Sequence, residues 1–167
     1  MSGNGTLKKS SSVYDSTALR NALGSFATGI TVVTAIGADS QHVGMTANSF
    51  NSVSLDPPLI LWSISRESNC FNDFIQAKSF SIHVLDDKQQ DISDQFAQSG
   101  GDKFEGITCT EGSTGAPLLP NFSACFECTT EHQYDGGDHV ILVGRVIKFT
   151  DRGTQPLVFY RGKYTSI

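Results

Sequence analysis

The chain has 167 residues, of which 38% are hydrophobic and 10% aromatic, and these values are typical of one globular domain with its own core. Its formal net charge of -5, with 12 scattered Lys and Arg residues, argues against a nucleic-acid partner, because phosphate binding requires a basic face. No apolar run reaches the roughly 20 residues of a membrane-spanning helix, so we also expect no membrane partner.

The first predicted elements along the chain are a tail and a helix. Residues 1–14 are rich in Gly, Ser, Asn and Lys and predict a flexible N-terminal tail, and we expect residues 15–167 to form a single domain. A helix then begins at Asp15 or Ser16, carries apolar residues at i, i+4 and i+7 on one face, and ends at Gly29.

The rest of the chain reads mainly as β-structure. Apolar alternation and turn residues predict seven strands, over residues 30–35, 42–50, 59–65, 79–85, 122–134, 139–149 and 157–160. Two more short helices are predicted over residues 70–77, capped by Ser68 or Asn69, and over residues 88–98. The spacer at residues 135–138 indicates a hairpin. Because helices do not regularly separate the strands, we expect a mainly β, antiparallel barrel with short helices on its rim.

The segment over residues 44–50 interrupts the alternation expected of a strand with one buried face. The interruption consists of hydroxyls, an amide and little side-chain bulk. Backbone N–H groups in such a run are free to bind a ligand with many acceptors, and a flat phosphorylated heterocycle such as a flavin fits that description. The candidate cofactor-binding residues in this run are Met45, Thr46, Ala47, Asn48 and Ser49.

A second polar segment, over residues 63–69, can hold a phosphate. Two serines share a strand face, an arginine supplies a fixed positive charge, and a serine and an asparagine stand at a predicted helix start, where free N–H groups attract phosphate. These candidates are Ser63, Ser65, Arg66, Ser68 and Asn69. A solvated turn with a helix cap explains the same residues, and for this segment alone that interpretation is favoured.

Further candidates are spread over the second half of the chain. Lys103 and Phe104 follow a Gly-Gly bend and could close over a site, although a surface loop explains them better on their own. His139 opens a strand and could bind a nicotinamide amide or donate a proton, although histidines beside turns usually do neither. Arg161 and Tyr164 could contact a cofactor or a partner subunit, and a solvated terminal strand is the alternative.

The sequence lacks the motifs of several common classes of enzyme. The sequence has no dinucleotide-binding glycine motif, P-loop, metalloprotease motif or nucleophile elbow, so an enzyme here would depend on a bound organic cofactor. Cys125 and Cys128 form a single C-x-x-C within a strand pattern, with their side chains on opposite faces, and we expect no metal site. Without a signal peptide, the four cysteines are expected to be reduced thiols in a cytoplasmic protein.

Seven segments in order carry a family resemblance: residues 26–34, 44–50, 52–59, 102–104, 115–119, 137–139 and 160–162. Together they resemble the short-chain flavin reductases, which supply reduced flavin to two-component monooxygenases. The resemblance covers nearly everything from about Leu19 to Tyr164, and its breadth makes it specific. The N-terminal tail and the C-x-x-C lie outside what it explains.

The resemblance implies a split β-barrel of the FMN-binding type and a homodimer with flavin sites near the subunit interface. It implies that residues 46–49 contact the isoalloxazine and ribityl chain, and that the candidates of residues 63–69 lie near the ribityl and phosphate. His139 matches the family histidine on the nicotinamide side of the pocket. The weaker matches are Lys103, Phe104, Arg161 and Tyr164.

The sequence is therefore interpreted as an NAD(P)H:flavin oxidoreductase that reduces FMN or FAD with NADH or NADPH and supplies reduced flavin to a partner monooxygenase. Hydride transfer needs no obligatory acid or base, which agrees with the lack of a catalytic dyad. A flavin-binding electron-transfer protein without its own nicotinamide site stays open as the alternative. The choice between FMN and FAD, and the choice between NADH and NADPH, also stay open.

Overall fold

The computed structural model describes residues 14–167 and consists mainly of antiparallel β-sheet. The predicted tail therefore lies outside the described residues except for its last position. The helices are α1 (Ser16–Leu23), α2 (Phe71–Gln76) and α3 (Gln90–Ala97). The strands are β1 (Thr28–Gly29), β2 (Thr31–Ile36), β3 (His42–Ala47), β4 (Asn51–Leu55), β5 (Pro58–Ser65), β6 (Ser79–Val84), β7 (Thr110–Glu111), β8 (Pro117–Leu118), β9 (Ala124–Gly136), β10 (His139–Asp151), β11 (Val158–Tyr160) and β12 (Lys163–Thr165).

Seven strands form the principal sheet, in the order β3-β2-β6-β9-β10-β5-β4, with every neighbouring pair antiparallel. A second sheet joins β1, β11 and β12, and β7 pairs with β8. This architecture confirms the predicted mainly β, antiparallel fold. It leaves β3 and β4 as the two edges of the principal sheet, and edge strands carry unpaired backbone groups.

The core consists of two apolar clusters that share β2. Val33 and Ala35 contribute to a cluster around Trp62, whereas Val32 contributes to a second cluster that includes Phe96. Successive residues of a strand point to opposite faces, so β2, which is buried on both faces, supplies both clusters.

The predicted hairpin is confirmed. Strands β9 and β10 pair from His139 and Gly136 onward, and the chain reverses through Gly137 and Asp138. Gly137 has φ 75°, a conformation that glycine adopts without strain. The hairpin places His139 opposite Ser65 of β5, so it fixes the neighbours of one predicted site residue.

Several predicted boundaries were wrong. Helix α1 ends at Leu23 with Gly24 as its C-cap, rather than at Gly29. Gly29 belongs to β1 and pairs with Val158, a partner far away in sequence. Helix α2 is N-capped by Cys70 and has no side-chain cap hydrogen bond, so neither predicted residue caps it. The second predicted strand ends at Ala47 rather than at residue 50. Five further strands (β1, β4, β7, β8 and β12) have only two to five residues each, too few for alternation to reveal them.

Candidate functional site

A cleft of about 760 Å³ lies along the edge strand β3. It is bounded by β3, by residues 67–70 between β5 and α2, and by residues 96–104 at and after the end of α3. The predicted site residues that line it are Met45, Thr46, Ser68, Asn69, Lys103 and Phe104. The fold thus brings together three predicted segments that are separated in sequence.

The free edge of β3 faces this cleft region. Lys103 Nζ donates to Gly44 O at 3.3 Å and to Phe96 O at 3.1 Å, so the Gly44 carbonyl points away from β2. Both backbone groups of one residue point to the same side in an antiparallel strand, and residues two apart repeat that direction. Thr46 therefore presents its backbone N–H and C=O at the same edge, where a ligand can bind them.

The side chains of residues 46–49 are used differently from one another. The Thr46 hydroxyl donates to Ser93 O at 2.6 Å, and Ala47 is buried. The Ser49 hydroxyl donates to Ser63 O at 3.0 Å and accepts from Ser63 N–H at 2.9 Å. Asn48 is exposed, and its amide has no hydrogen-bond partner among residues 14–167. Asn48 is therefore the side chain of this run that is free to bind a ligand.

Aromatic rings close one wall of the cleft. Phe96 and Phe104 pack edge-to-face with ring centroids 5.0 Å apart. They lie over Gly44, where an added Cβ atom would be 2.6 Å from Phe96 Cε1 and 3.1 Å from Phe104 Cζ. The His42 ring packs against Phe104 at 5.4 Å. A glycine is needed here because the two rings approach the backbone too closely for any side chain.

The cleft also contains residues that the sequence did not single out, among them His42, Glu67, Cys70 and Phe96. Cys70 Sγ lies 3.9 Å from Met45 Sδ and 3.3 Å from Ser68 Oγ, so it joins β3 to the segment before α2. The position of Cys70 directly after the predicted candidates Ser68 and Asn69 could have indicated that it belongs to the site. Phe96 gave no such signal, because an apolar residue on a helix face is normally read as core.

A second group of predicted residues lies at the paired ends of β5 and β10. Ser65 pairs with His139, and the Arg66 N–H donates to Asp138 O at 2.9 Å. The Arg66 guanidinium forms an ion pair with Asp135, so its charge is already partly engaged. This group, which includes Ser63, adjoins the segment at residues 67–70 but does not line the cleft.

His139 is held by its neighbour in the hairpin. Its Nδ1 lies 2.8 Å from Asp138 Oδ1, and its side chain is 43% exposed. The hydrogen bond with His139 lowers the pKa of the Asp138 carboxyl. With Nδ1 directed to Asp138, Nε2 is the ring nitrogen left to contact a ligand.

The last two candidates, Arg161 and Tyr164, also lie outside the cleft lining. The Arg161 N–H donates to Gly24 O at 2.9 Å, and its Nε donates to Tyr160 OH at 3.0 Å. Tyr164 OH lies 2.9 Å from Ser93 Oγ and 2.9 Å from Asp94 Oδ1, and burial raises the pKa of this phenol. The two Tyr164 contacts link β12 to α3.

The four cysteines are free thiols. Burial raises the pKa of Cys125 and of Cys128 to about 12, so neither forms a thiolate nucleophile near neutral pH. Within residues 14–167 the structure has no group of three or more His, Cys, Asp or Glu residues that could hold a metal ion. In the same residues no helix is long and apolar enough to cross a membrane.

Comparison with known proteins decides the family. The model of the flavin reductase like domain matches residues 23–167. The chain belongs to this flavin reductase family. The resemblance seen in the sequence is thereby confirmed.

Relatives in the family are reductases named for their flavins or their partners. The chain is 45% identical over 146 residues to the reductase component of the flavin-dependent trigonelline monooxygenase of Acinetobacter baylyi, covering 87% of this chain and 47% of that protein. It is 43% identical over 150 residues to the FMN reductase (NADH) SmoA of Agrobacterium fabrum, covering 90% and 85%. The chain spans about half the length of the first curated relatives it matches.

Solved structures of the flavin reductase family share the fold. The NADH:FAD oxidoreductase SgcE6 of Streptomyces globisporus, in complex with NAD and FAD fragments, superposes with a TM-score of 0.86 at 35% identity, covering 92% of this chain and 93% of that one. The structural neighbours are flavin reductases of the split-barrel type, so the predicted split β-barrel is confirmed.

Proposed function

We propose that the chain is an NAD(P)H:flavin oxidoreductase that reduces FMN or FAD by hydride transfer and supplies reduced flavin to a partner monooxygenase. The observation that carries this proposal is the cleft on the free edge of β3, where backbone groups and the Lys103 ammonium converge in a member of the flavin reductase family. The free Asn48 amide follows directly after the end of β3, outside the cleft lining. Relatives named FMN reductase (NADH) and NADH:FAD oxidoreductase support the choice of substrates.

The residues present fit a flavin. A cleft of about 760 Å³ lies within the roughly 300–1,000 Å³ range of small-molecule sites. Its floor offers backbone N–H and C=O groups, its wall offers aromatic rings, and Lys103 supplies a positive charge beside them. Neutral donors with one cation suit a ligand that carries ring acceptors and a phosphate.

When bound, the flavin supplies the ring that accepts a hydride from the reduced nicotinamide. The chain contributes binding and orientation: the Thr46 backbone and the Asn48 amide hold the ring's polar edge, and Ser68 and Asn69 hold the more polar part of the molecule. Phe96 and Phe104 exclude water from one side. Orientation of this kind accounts for much of the rate of a two-substrate transfer.

His139 is assigned to the nicotinamide co-substrate. Asp138 orients its ring, which leaves Nε2 available to an amide of the ligand. No proton transfer by His139 is required, because hydride transfer moves the electron pair and the hydrogen together. The expected role of His139 is therefore to bind and align the pyridine nucleotide.

The proposal includes a homodimer, supported by exposed apolar side chains. Leu55 of β4 is 95% exposed and Phe149 of β10 is 67% exposed, near the same end of the principal sheet. Helix α1 has no buried residue, and its Leu23 is 67% exposed. Large exposed apolar side chains of this kind are typical of subunit interfaces. The unpaired thiols support a reducing location such as the cytoplasm.

The test is steady-state oxidation of NADH and of NADPH with FMN, FAD and riboflavin supplied in turn. The proposal predicts oxidation that depends on both the protein and a flavin. Anaerobic mixing of the flavin-loaded chain with NADH or NADPH then separates the reductase from the alternative carrier: a reductase bleaches the flavin absorbance rapidly, and a carrier without a nicotinamide site leaves it unchanged. Absence of flavin binding would overturn the proposal outright.

A further inference from the structure

Helix α3 is fixed to the cleft strand and to the C-terminal strand through one residue. Ser93 of α3 is fully buried. Its carbonyl accepts from the Thr46 hydroxyl of β3 at 2.6 Å, and its hydroxyl lies 2.9 Å from Tyr164 OH of β12. Ser93 therefore joins two strands that belong to different sheets.

The direction of these hydrogen bonds follows from their donors. Tyr164 OH has one proton and donates it to Asp94 Oδ1 at 2.9 Å, so it accepts from the Ser93 hydroxyl. Without the Tyr164 hydroxyl, the buried Ser93 hydroxyl would lose this partner and would turn to the helix backbone, which bends helices. The Tyr164 hydroxyl thus helps to set the position of α3.

The position of α3 determines the wall of the cleft. Phe96 packs on Gly44, and its carbonyl accepts from Lys103. The helix ends at Ala97, and residues 97–104 continue directly as the cleft lining. A shift of α3 would therefore move the wall and the Thr46 anchor together.

We propose that Tyr164 is a positioning residue for the flavin site, acting through Ser93, α3 and Thr46 rather than by touching the ligand. This inference rests on the proposed function, since it assigns the cleft to flavin. It gives the C-terminal strand β12 a role in ligand affinity, although Tyr164 does not line the cleft.

The test is flavin titration of the wild type, Tyr164→Phe, Thr46→Val and the double variant, with Tyr160→Phe as the matched control. The Tyr160 hydroxyl lies on β11 and accepts from its neighbour Arg161, so its removal leaves α3 untouched. We expect Tyr164→Phe to raise the flavin Kd about three- to tenfold. The Kd of the double variant should not exceed the higher of the two single-variant values, because both substitutions act through Ser93. In Tyr164→Phe alone, the hydride-transfer rate at saturating flavin should stay within about twofold of the wild type.

Each outcome is decisive. If Tyr164 had only a structural role, Tyr164→Phe would lower the melting temperature and leave the flavin Kd unchanged. That result would overturn the inference. Additive effects in the double variant would mean that Tyr164 and Thr46 act independently rather than through Ser93, which would also overturn it. If Tyr164→Phe folds poorly, Ser93→Ala removes the same contact from the helix side and should raise Kd similarly. A wild-type chain that binds no flavin would overturn the proposed function itself, a result distinct from a variant that binds like the wild type.

Discussion

Substitution of Gly44 by alanine tests whether the close contact between β3 and α3 shapes the cleft. The added Cβ atom would lie 2.6 and 2.8 Å from two ring carbons of Phe96, and 3.1 Å from Phe104 Cζ. Carbon atoms in favourable contact are about 3.5–4.0 Å apart, so the Phe96 ring must retreat by about 1 Å. Phe96 is fully buried, so its ring can retreat only by displacing neighbouring side chains such as Phe104.

The expected cost follows from overpacking. Forcing extra volume into a closed core costs about 1–3 kcal/mol, so Gly44→Ala should lower the free energy of unfolding by that amount in urea titrations. Because both displaced rings line the cleft, flavin affinity should fall about tenfold as well, equivalent to about 1.4 kcal/mol.

The matched control is Gly29→Ala. A Cβ atom there would meet only Val84 Cγ1 at 3.9 Å, an ordinary contact, so stability should stay within about 0.5 kcal/mol of the wild type. If Gly44→Ala behaved like this control in both unfolding and flavin titration, the reasoning that glycine is required beneath the two rings would be refuted.

The remaining predictions concern His83, Asn48 and His139. Burial lowers the pKa of His83 to about 4 from its ordinary 6.5, so the stability due to its neutral ring is complete above pH 6.5 and is lost as pH falls towards 4. The loss approaches about 3 kcal/mol in urea unfolding at a series of pH values; His83→Gln should show a smaller slope, and equal slopes would contradict the assignment. Asn48→Leu should weaken flavin binding by roughly 1–3 kcal/mol without changing the free energy of unfolding, and unchanged affinity in a flavin titration would refute the placement of Asn48. His139→Ala should raise the KM for the nucleotide more than it weakens flavin binding, whereas separate titrations that showed a defect only on the flavin side would count against its assignment to the nicotinamide.

Much of the fold could be predicted because its elements have local causes. The β9–β10 hairpin follows from a glycine-rich spacer between two apolar strands, and Gly137 adopts the left-handed conformation that such a turn uses. The end of α1 was placed at the wrong glycine, since Gly24 is its C-cap. Strand β1 could not be predicted, because the pairing of Gly29 with Val158 depends on a strand more than a hundred residues away. Local patterns do not report such contacts.

The structure brings the predicted site residues together by segments more than by side chains. Residues 45–46, 68–69 and 103–104 line one cleft, whereas Ala47, Asn48 and Ser49 lie outside its lining, and the contacts of all these residues with a flavin stay predictions. Arg66, chosen for its charge, also pairs with Asp135 of β9, a partner that the sequence could not indicate because it depends on the register of β5 and β9 against β10. The direct contacts assigned to Ser63, Ser65 and Arg161 stay predictions. The direct contact assigned to Tyr164 is untested, and the indirect role proposed above is the alternative to it.

The loss of alternation in residues 44–50 has two physical causes that the sequence alone cannot separate. One is the proposed ligand binding, which would use an open strand edge and the free amide of Asn48. The other is packing, since Gly44 must be small beneath Phe96 and the Thr46 hydroxyl must reach α3. The two causes make different demands: a change at Asn48 should affect flavin affinity alone, whereas changes at Gly44 or Thr46 should affect stability and affinity together. A run of small and polar residues in a strand is therefore evidence for a ligand site only when its hydroxyl groups do not already form hydrogen bonds within the fold.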